Sequence, residues 1–258
     1  MRYAVVGDPI AHSKSPAIHN AAFAALGIDS SYTAIRVPIG EFSRVVAAMR
    51  SGDLNGVNVT MPLKEEAYQA VDDHDPAAAR AGAVNTVTTN DQGLHGCNTD
   101  VDGIRFAMQS IEASNEAPVL ILGAGGAARA AAIAVGDHRV VMSARRQEAA
   151  RAALARSGLV GEIVEWGEPV PGATVVNATP IGMHDGELPR PVLERASAFV
   201  DMAYGEAPTF AVRTAESLGI PTADGLDMLV GQAAAAFALF TGMTPPLDIM
   251  QAAAREIR

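Results

Sequence analysis

The sequence predicts an α/β protein with two domains, and three observations support this. Short apolar runs typical of buried strands alternate with helical segments, which indicates parallel sheets covered by helices on both faces. The chain has 258 residues, 49% of them hydrophobic, which at roughly 150 residues per domain corresponds to between one and two domains. The strand–helix pattern then restarts at "APVLILGAGGAARA", so we expect a domain boundary near residues 101 to 117.

The first half of the chain contains well-delimited elements. "SPAIHNAAFAALG" predicts a helix, with Ser15 as the N-cap, Pro16 at the first helical position and Gly27 at the C-terminal end. "GVNVTM" predicts a strand and "LKEEAYQAVDD" a helix after it. "AVNTVTTNDQGLHGCNTD" predicts two short strands around an Asn-Asp-Gln-Gly turn, a β-hairpin.

The second half predicts five further strands after "VLIL", with helices between them. The strand segments are "RVVMSA", "EIVEW", "ATVVNATP", "SAFVDMAY" and "IPTADG". The tail predicts two helices, "LDMLVGQAAAAFALFTG" and "PPLDIMQAAAREIR". The apolar face of the last helix serves either domain closure or a homodimer contact, and the sequence does not separate the two.

The composition restricts the kind of partner. The formal net charge is −10 and no dense Lys/Arg patch offsets it, so we expect no nucleic-acid partner. No run reaches the ~18 apolar residues of a membrane helix, so we expect no membrane partner. Cys97 is the only cysteine, which excludes an intrachain disulfide and favours a reducing, cytoplasmic location. His95 and Cys97 lack a third ligand, so we expect no metal site.

A glycine-rich turn, "GAGGAA" at residues 123–128, follows a predicted buried strand and opens a predicted helix. Glycines in this position let the backbone approach a pyrophosphate, and the helix amides then face the anion. A tight turn with a purely structural role is the alternative for such a match.

The strand after this turn ends in Ser143-Ala144-Arg145-Arg146. Folds that bind NAD usually place an acidic residue here for the ribose 2′-hydroxyl. Because guanidinium groups suit a 2′-phosphate, this segment favours NADP over NAD. Two solvated arginines at a helix start are the alternative, although cations there oppose the helix dipole.

Polar residues follow the predicted strands of the first half. They are Ser13-Lys14-Ser15, Thr60 with Lys64, Asn85-Thr86, and Asn98-Thr99-Asp100. Ligands of open α/β sheets bind at the carboxyl ends of the strands, so these side chains are expected to converge on a polyhydroxylated small molecule. Each also has a structural alternative: Ser15 and Asp100 as helix caps, and Asn85 and Asn98 as turn residues.

Eight motifs, in order along nearly the whole chain, resemble the shikimate dehydrogenase family. They are "GDPIAHSKSP", "NVTMPLKE", "AGAVNT", "NTDVDG", "LGAGGAARA", "NATPIGM", "DMAYGEAPT" and "DGLDMLVGQAAAAF". The resemblance implies NADPH-dependent reduction of 3-dehydroshikimate to shikimate, in the pathway to aromatic amino acids. It also implies a substrate-binding domain at 1–101, completed by helices at about 232–258, a Rossmann-like NADP-binding domain at 102–231, and a cleft between them.

Matched motif by motif, the resemblance assigns roles to individual residues. Ser13 and Ser15 bind the substrate carboxylate, while Thr60, Asn85, Asp100 and Gln232 bind the ring hydroxyls and Tyr204 lies near the substrate. The resemblance places Gly123, Ala124, Gly125, Gly126 and Ala127 at the pyrophosphate and Met202 and Gly225 near the nicotinamide. The segment at the end of the strand after the glycine-rich turn adds Ser143, Arg145 and Arg146 as cofactor residues. Lys64 is the catalytic lysine, and Asp100 orients it.

Chemistry supports that role for Lys64, because reducing a ketone requires a proton on oxygen as well as a hydride on carbon. Three positions depart from the family pattern: the Ser-Ala-Arg-Arg run, Pro180 and Asp227. Two alternatives therefore stay open. One is a quinate or aminoshikimate dehydrogenase, and the other is a non-catalytic NADP-binding regulatory paralogue.

Overall fold

The computed structural model describes residues 1–183, 186–205 and 207–256. It separates into two compact units. The first unit contains Met1–Thr99 together with the chain from Gln232 onward, and the second contains Asp100–Gly231. Each unit has its own six-stranded sheet, and the predicted α/β class is confirmed.

The first unit has a mixed sheet in the order β2-β1-β3-β5-β6-β4. Its strands are β1 (Arg2–Gly7), β2 (Ser31–Arg36), β3 (Gly56–Val59), β4 (Asp73–His74), β5 (Thr86–Asn90) and β6 (Gly93–Cys97). Its helices are α1 (Ser15–Ala25), α2 (Ser43–Arg50), α3 (Lys64–Ala70), α4 (Pro76–Ala81) and α11 (Leu247–Glu256). The sheet is mixed because the predicted hairpin, β5 and β6, pairs antiparallel to β3.

Helices cover both faces of this sheet. On one face, Val57 and Val59 of β3 belong to a core that also contains Phe42, Met49 and Leu63. Side chains alternate between faces along a strand, so Asn58 lies on the opposite face. There α11 packs on α1, and Tyr3 stacks on Phe240 with ring centroids 4.9 Å apart.

The second unit has a fully parallel sheet in the order β12-β11-β10-β7-β8-β9. Its strands are β7 (Val119–Leu122), β8 (Val140–Ser143), β9 (Glu162–Val164), β10 (Thr174–Asn177), β11 (Ala198–Asp201) and β12 (Thr222–Ala223). Its helices are α5 (Asp100–Ser110), α6 (Gly126–Ala134), α7 (Gln147–Arg156), α8 (Arg190–Glu194) and α9 (Phe210–Ser217). Helix α10 (Gly225–Thr241) contains the residue, Gln232, at which the chain returns to the first unit.

This strand order is that of the doubly wound dinucleotide-binding fold. Numbered within the unit it runs 3-2-1-4-5-6, with the order reversing between β7 and β10. Ligands of such sheets bind at the carboxyl ends of the strands on either side of the reversal. Here those ends are followed by the glycine-rich turn and by Ala178-Thr179.

The N-cap prediction for Ser15 is wrong. Helix α1 begins at Ser15 itself, with Lys14 in the cap position and no side-chain cap hydrogen bond. Lys14 already has helical backbone angles, and its carbonyl accepts a hydrogen bond from Ile18 N at 3.2 Å. Ser15 therefore lies inside the first turn.

The predicted helix "LKEEAYQAVDD" is too long. It ends at Ala70, and Val71 turns to extended angles. Asp72 then exchanges hydrogen bonds with Leu94, so the chain continues as β4 beside β6. Pairing with the neighbouring strand overrides the helical pattern here. The predicted last helix is described to Glu256, and its final two residues lie outside the described part.

None of the helices in the described part of the chain combines the length and the apolar character needed to span a bilayer.

Candidate active site

The polar segments of the first unit meet at one end of its strands, where β1 and β3 have their carboxyl termini, because of the strand directions. Strands β1 and β3 are parallel, so the segments after them leave from the same edge. Strand β5 is antiparallel to β3, which brings its first residue, Thr86, opposite Asn58. Thr86 in turn pairs with Cys97, the last residue of β6. The predicted convergence is therefore seen for the segments that begin at Asp8, Thr60, Asn85 and Asn98.

The segment after β1 carries the two serines. Ser15 is 4% exposed, and its backbone N donates to Ser13 Oγ at 3.4 Å. Gly7 lets this segment lie against the one after β3, because a Cβ at Gly7 would come within 2.5 Å of Thr60 Cγ2. The structure thus places one hydroxyl, that of Ser13, at the end of this loop and that of Ser15 in the first turn of α1, with a third, that of Thr60, in the adjacent loop.

Lys64 is the first residue of α3 and is half-buried. Its carbonyl accepts a hydrogen bond from Val84 N at 2.9 Å, which ties the start of α3 to the residue before Asn85. Lys14 and Lys64 are the only lysines of the chain. Every other basic position is an arginine, so the only two primary side-chain amines both lie among these loops.

Asn85 is 2% exposed, and its side chain forms hydrogen bonds to more than one segment. Its Oδ1 accepts from Thr99 N at 2.7 Å, and its Nδ2 donates to Thr99 Oγ1 at 3.0 Å. A buried asparagine held in this way cannot rotate without losing these bonds. The turn-residue alternative is therefore insufficient for Asn85, because its side chain links segments far apart in sequence.

Gln232 joins this group from the C-terminal part of the chain. Its Oε1 accepts from Asn85 Nδ2 at 3.1 Å. Its side chain is largely buried, with 9% of the residue exposed.

Asp100 follows Thr99 directly and opens α5, the first element of the second unit. It is 4% exposed. Helix α5 begins at Asp100 itself, so the predicted role as the cap before Val101 is wrong. A carboxylate in the first turn is nevertheless stabilised by the helix dipole.

The glycine-rich turn of the second unit has the form that a phosphate site requires. Gly123 has a φ of +118°, and a Cβ there would lie 2.9 Å from Ala178 O. At Gly125 an added Cβ would meet nothing within 4 Å, and this residue precedes α6 without a side-chain cap. No side chain of the described residues caps the first amides of α6, and the open space beside Gly125 leaves room for a ligand to approach the backbone, as a pyrophosphate site requires.

The arginine segment lies at the end of β8. Arg145 and Arg146 are exposed, and the Arg145 guanidinium lies 5.8 Å from the centre of the Trp166 ring. Ser143 is fully buried, and its hydroxyl donates to Glu165 O at 2.8 Å. The two guanidinium groups are thus accessible to an anion, whereas the Ser143 hydroxyl is committed to protein groups. The assignment of Ser143 to the cofactor stays a prediction.

Met202 and Tyr204 lie in the loop after β11 and are half-buried. Gly225, the first residue of α10, contacts this loop, because a Cβ there would overlap Ala203 O and lie 2.9 Å from Tyr204 Cβ. The structure therefore brings these three predicted residues together. Only glycine at position 225 permits this contact.

The sequence did not single out Asp201, which shapes the same loop. Its carboxylate accepts hydrogen bonds from Asn177 Nδ2 at 2.8 Å, Ala203 N at 3.0 Å and Thr209 Oγ1 at 2.6 Å. Burial raises the pKa of the Asp201 carboxyl, and the hydrogen bonds oppose that rise. An acidic residue at the end of the apolar strand "AFVD" was the signal that could have found it.

Asp227, one of the departures from the family pattern, has a local structural partner. Its Oδ2 accepts from Asp224 N at 3.2 Å, while Asp224 Oδ1 accepts from Asp227 N at 3.1 Å. This reciprocal pair resembles a capping box and satisfies amides at the start of α10.

Within the described ranges, the structure contains no group of three or more His, Cys, Asp or Glu side chains placed to hold a metal ion. His95 pairs with Asp73 instead, with 2.9 Å between Nδ1 and Oδ2.

Known proteins match this chain over nearly its whole length. Residues 5–87 match the family model of the shikimate dehydrogenase substrate binding domain, and residues 225–255 match that of the shikimate 5′-dehydrogenase C-terminal domain. A shikimate dehydrogenase (NADP(+)) from Thermococcus kodakarensis is 38% identical over 98% of this chain and 96% of its own length.

Solved structures agree with this match. Shikimate 5-dehydrogenase from Thermus thermophilus, in complex with NADP(H) and shikimate, superimposes with a TM-score of 0.92 at 37% identity, covering 100% of both chains. The enzyme from Listeria monocytogenes, in complex with shikimate and NAD, has a TM-score of 0.85 at 30% identity, covering 97% of this chain and 95% of that one.

The doubly wound unit and its glycine-rich turn define a dinucleotide-binding α/β protein. Sequence identity of this level over nearly the full length identifies the family as well, and the chain belongs to the shikimate dehydrogenase family. The predicted family is confirmed.

Proposed function

We propose that this protein catalyses the reversible, NADP-dependent reduction of 3-dehydroshikimate to shikimate. The observation that carries the proposal is the set of hydroxyl, amide and amine side chains at one sheet edge of the first unit, in a chain that belongs to this family throughout its length. A polyhydroxylated ring acid requires many hydrogen-bonding partners, and this edge supplies them.

The first unit takes the substrate. The Ser13 and Ser15 hydroxyls bind its carboxylate, since the two residues are neighbours at the start of α1 and joined by a hydrogen bond. Thr60, Asn85 and Gln232 bind the ring hydroxyls, and the resemblance to the family assigns Asp100 and Tyr204 to the substrate as well. The hydrogen bond between Asn85 and Gln232 supports a joint role for these two amides.

The second unit takes NADP, and its residues fit that cofactor. The turn from Gly123 to Ala127 holds the pyrophosphate, where Gly125 leaves room for the phosphates to approach the backbone. Arg145 and Arg146 hold the 2′-phosphate, since both are exposed and cationic. Met202 and Gly225 lie near the nicotinamide end. Bound NADPH supplies the hydride.

Lys64 is the proton donor and acceptor of the reaction. In the direction of reduction its ammonium donates a proton to the carbonyl oxygen of 3-dehydroshikimate, and in the reverse direction its neutral amine accepts the proton of the alcohol. The hydrogen bond from the backbone N of Val84 to the backbone O of Lys64 fixes the main chain of Lys64 relative to Asn85. Asp100 accepts a hydrogen bond from the substrate hydroxyl and orients the Lys64 amine.

Turnover tests the proposal most directly. Purified protein is supplied with shikimate or quinate, each with NADP⁺ or NAD⁺, and the absorbance of the reduced nicotinamide is followed. Strong turnover with shikimate and NADP⁺ alone supports the proposal. Preference for NAD⁺ would overturn the assignment of the arginines, and preference for quinate would overturn the substrate. Binding of NADPH without turnover in all four pairings would indicate a non-catalytic paralogue.

We also infer a cytoplasmic location. The reaction draws on NADPH, which is an intracellular reductant, and the single cysteine, Cys97, is a buried free thiol.

A further inference from the structure

A chain of buried side-chain hydrogen bonds crosses the first unit from Tyr32 to Gln232. The distances are 2.6 Å from Tyr32 Oη to Asn58 Oδ1, 2.9 Å from Asn58 Nδ2 to Thr86 Oγ1, 3.1 Å from Thr86 Oγ1 to Asn85 Oδ1, and 3.1 Å from Asn85 Nδ2 to Gln232 Oε1. Each of the five residues is at most 9% exposed. Three of them have no part in the proposed binding of substrate.

Two backbone groups determine which atom donates and which accepts along this chain of hydrogen bonds. The Thr99 amide can only donate, and it meets the Asn85 side chain at 2.7 Å, so the atom it meets is Oδ1. The Asn85 carbonyl can only accept, and it meets the Asn58 side chain at 3.3 Å, so that atom is Nδ2. Both asparagine amides therefore have a single orientation.

The remaining donors and acceptors follow from these two anchors. Tyr32 donates to Asn58 Oδ1, because that oxygen can only accept. Thr86 accepts from Asn58 Nδ2, and its own proton is shared between Asn85 Oδ1 at 3.1 Å and Thr99 Oγ1 at 3.2 Å. Thr99 Oγ1 in turn lies 3.2 Å from Asn85 Oδ1, so both hydroxyls hold this oxygen, and such networks strengthen each member.

Gln232 stands at the end of the chain. Because Asn85 presents Nδ2, Gln232 turns Oε1 toward it. The Nε2 group then faces away from Asn85, and no described residue forms a hydrogen bond with it. Gln232 therefore offers two N–H donors to a ligand, while its Oε1 is turned toward Asn85.

We propose that Tyr32, Asn58 and Thr86 are positioning residues which, together with the Thr99 amide that anchors Asn85, hold Gln232 as a hydrogen-bond donor to a substrate oxygen. This rests on the proposed function, which makes Gln232 a substrate ligand. The matching group on the substrate must be an acceptor, as hydroxyl and carbonyl oxygens are. A protonated amine has three donors and no acceptor, so an amino analogue with nitrogen at this place is rejected.

Thr86→Val tests this, because it removes the hydroxyl while keeping the shape of the side chain. The matched variant Thr86→Ser keeps the hydroxyl. We expect Thr86→Val to raise the KM for shikimate about tenfold, the effect of one misdirected hydrogen bond. The KM for NADP⁺ stays within about twofold, and Thr86→Ser restores the wild-type KM for shikimate. If Thr86→Val fails to fold, Tyr32→Phe breaks the chain at its other end.

The NMR resonance of the Gln232 side-chain amide distinguishes a change in the orientation of this amide from a general loss of protein stability. The side-chain amide resonance of Gln232 is assigned in ligand-free protein by its loss in Gln232→Met. Thr86→Val is expected to move this resonance, and Thr86→Ser is expected to leave it in place. In the Gln232→Met background, Thr86→Val should change the KM for shikimate by a smaller factor than in the wild type.

The outcomes distinguish this inference from the proposed function. A Gln232 resonance unmoved by Thr86→Val overturns the inference, as does a moved resonance with an unchanged KM for shikimate. Wild-type protein that turns over neither shikimate nor quinate overturns the proposed function, and with it the substrate role of Gln232. A moved resonance would then still establish the orientation of the amide pair.

Discussion

Asn85 Nδ2 donates to Gln232 Oε1 at 3.1 Å, although 147 residues separate the two in sequence. The bond lies within the first unit, which the chain leaves after Thr99 and re-enters at Gln232. One side of the candidate substrate site is therefore built from two segments of the chain, one before the second unit and one after it. Substitutions in either segment should act on the same ligand.

Lys64→Ala should remove most turnover and leave the Kd for NADPH near the wild-type value. The loss is expected to be about 10²- to 10⁴-fold in kcat, because the variant loses the general acid–base group. Stopped-flow turnover and NADPH fluorescence titration measure the two quantities. Glu65→Ala is the matched control, since this residue is next along α3 and exposed. Unchanged kcat in Lys64→Ala would remove Lys64 from the mechanism.

Arg145→Ala and Arg146→Ala should raise the KM for NADP⁺ more than the KM for NAD⁺. Each guanidinium stabilises a 2′-phosphate that NAD⁺ lacks. Steady-state kinetics with both cofactors measure the ratio, and Arg156→Ala, at the other end of α7, is the control. Equal effects on the two cofactors would show that the phosphate is held elsewhere.

Two glycines of the turn should respond differently to alanine. Gly123→Ala is expected to destabilise the protein by about 1–3 kcal/mol, because its positive φ is strained for alanine and the new Cβ meets Ala178 O. Gly125→Ala meets no protein atom within 4 Å and should leave stability nearly unchanged, but raise the KM for NADP⁺. Urea unfolding and kinetics on both variants check this. Equal KM values in Gly125→Ala and wild type would place the pyrophosphate away from this turn.

His19 should make the protein sensitive to acid. Its ring is fully buried and stacks on Tyr32 at 4.2 Å, and its two ring nitrogens have no hydrogen-bond partner among the described residues. Burial lowers the pKa of His19 from 6.5 to about 3. The folded state thus keeps the ring neutral, whereas the unfolded chain binds a proton below pH 6.5.

The free energy of unfolding is therefore expected to fall by about 1.4 kcal/mol for each pH unit between these two pKa values. Stability from this group is present above the unfolded pKa and is lost as the pH falls toward the folded one. His19→Phe keeps a ring in the stack and should flatten the pH dependence. Urea unfolding at several pH values measures the slope, with exposed His12→Phe as control. A slope that His19→Phe leaves unchanged would assign the acid sensitivity to other groups.

Local patterns explain which parts of the molecule were predictable. The strand, turn and helix from Val119 to Ala134 are contiguous, so the phosphate turn could be inferred from neighbouring residues alone. Ser15 was misjudged because N-cap preference does not reveal where helical backbone angles begin. Strand β4 was missed because its two residues depend on pairing with β6, a contact that the sequence does not display.

The hydrogen-bond chain was missed for a related reason. Tyr32, Asn58 and Thr86 lie on three different strands, and each alone suits an ordinary strand residue. Asn58 gave one signal, because it is a polar residue within the buried run "GVNV". Asn85 and Thr86 were found as polar residues that follow a predicted strand, and Gln232 was found through the resemblance to the family. Their mutual contact, and hence the donor orientation of Gln232, required coordinates.

The discontinuous first unit also has a consequence for biosynthesis. A ribosome releases the segment to Thr99 first, then the whole second unit, and only afterwards Gln232 and α11. While the second unit folds, α1 lacks the helix that packs on it and Tyr3 lacks its partner Phe240. The second unit can thus fold on a nascent chain whose candidate substrate site still lacks Gln232, and the unit translated first is completed last.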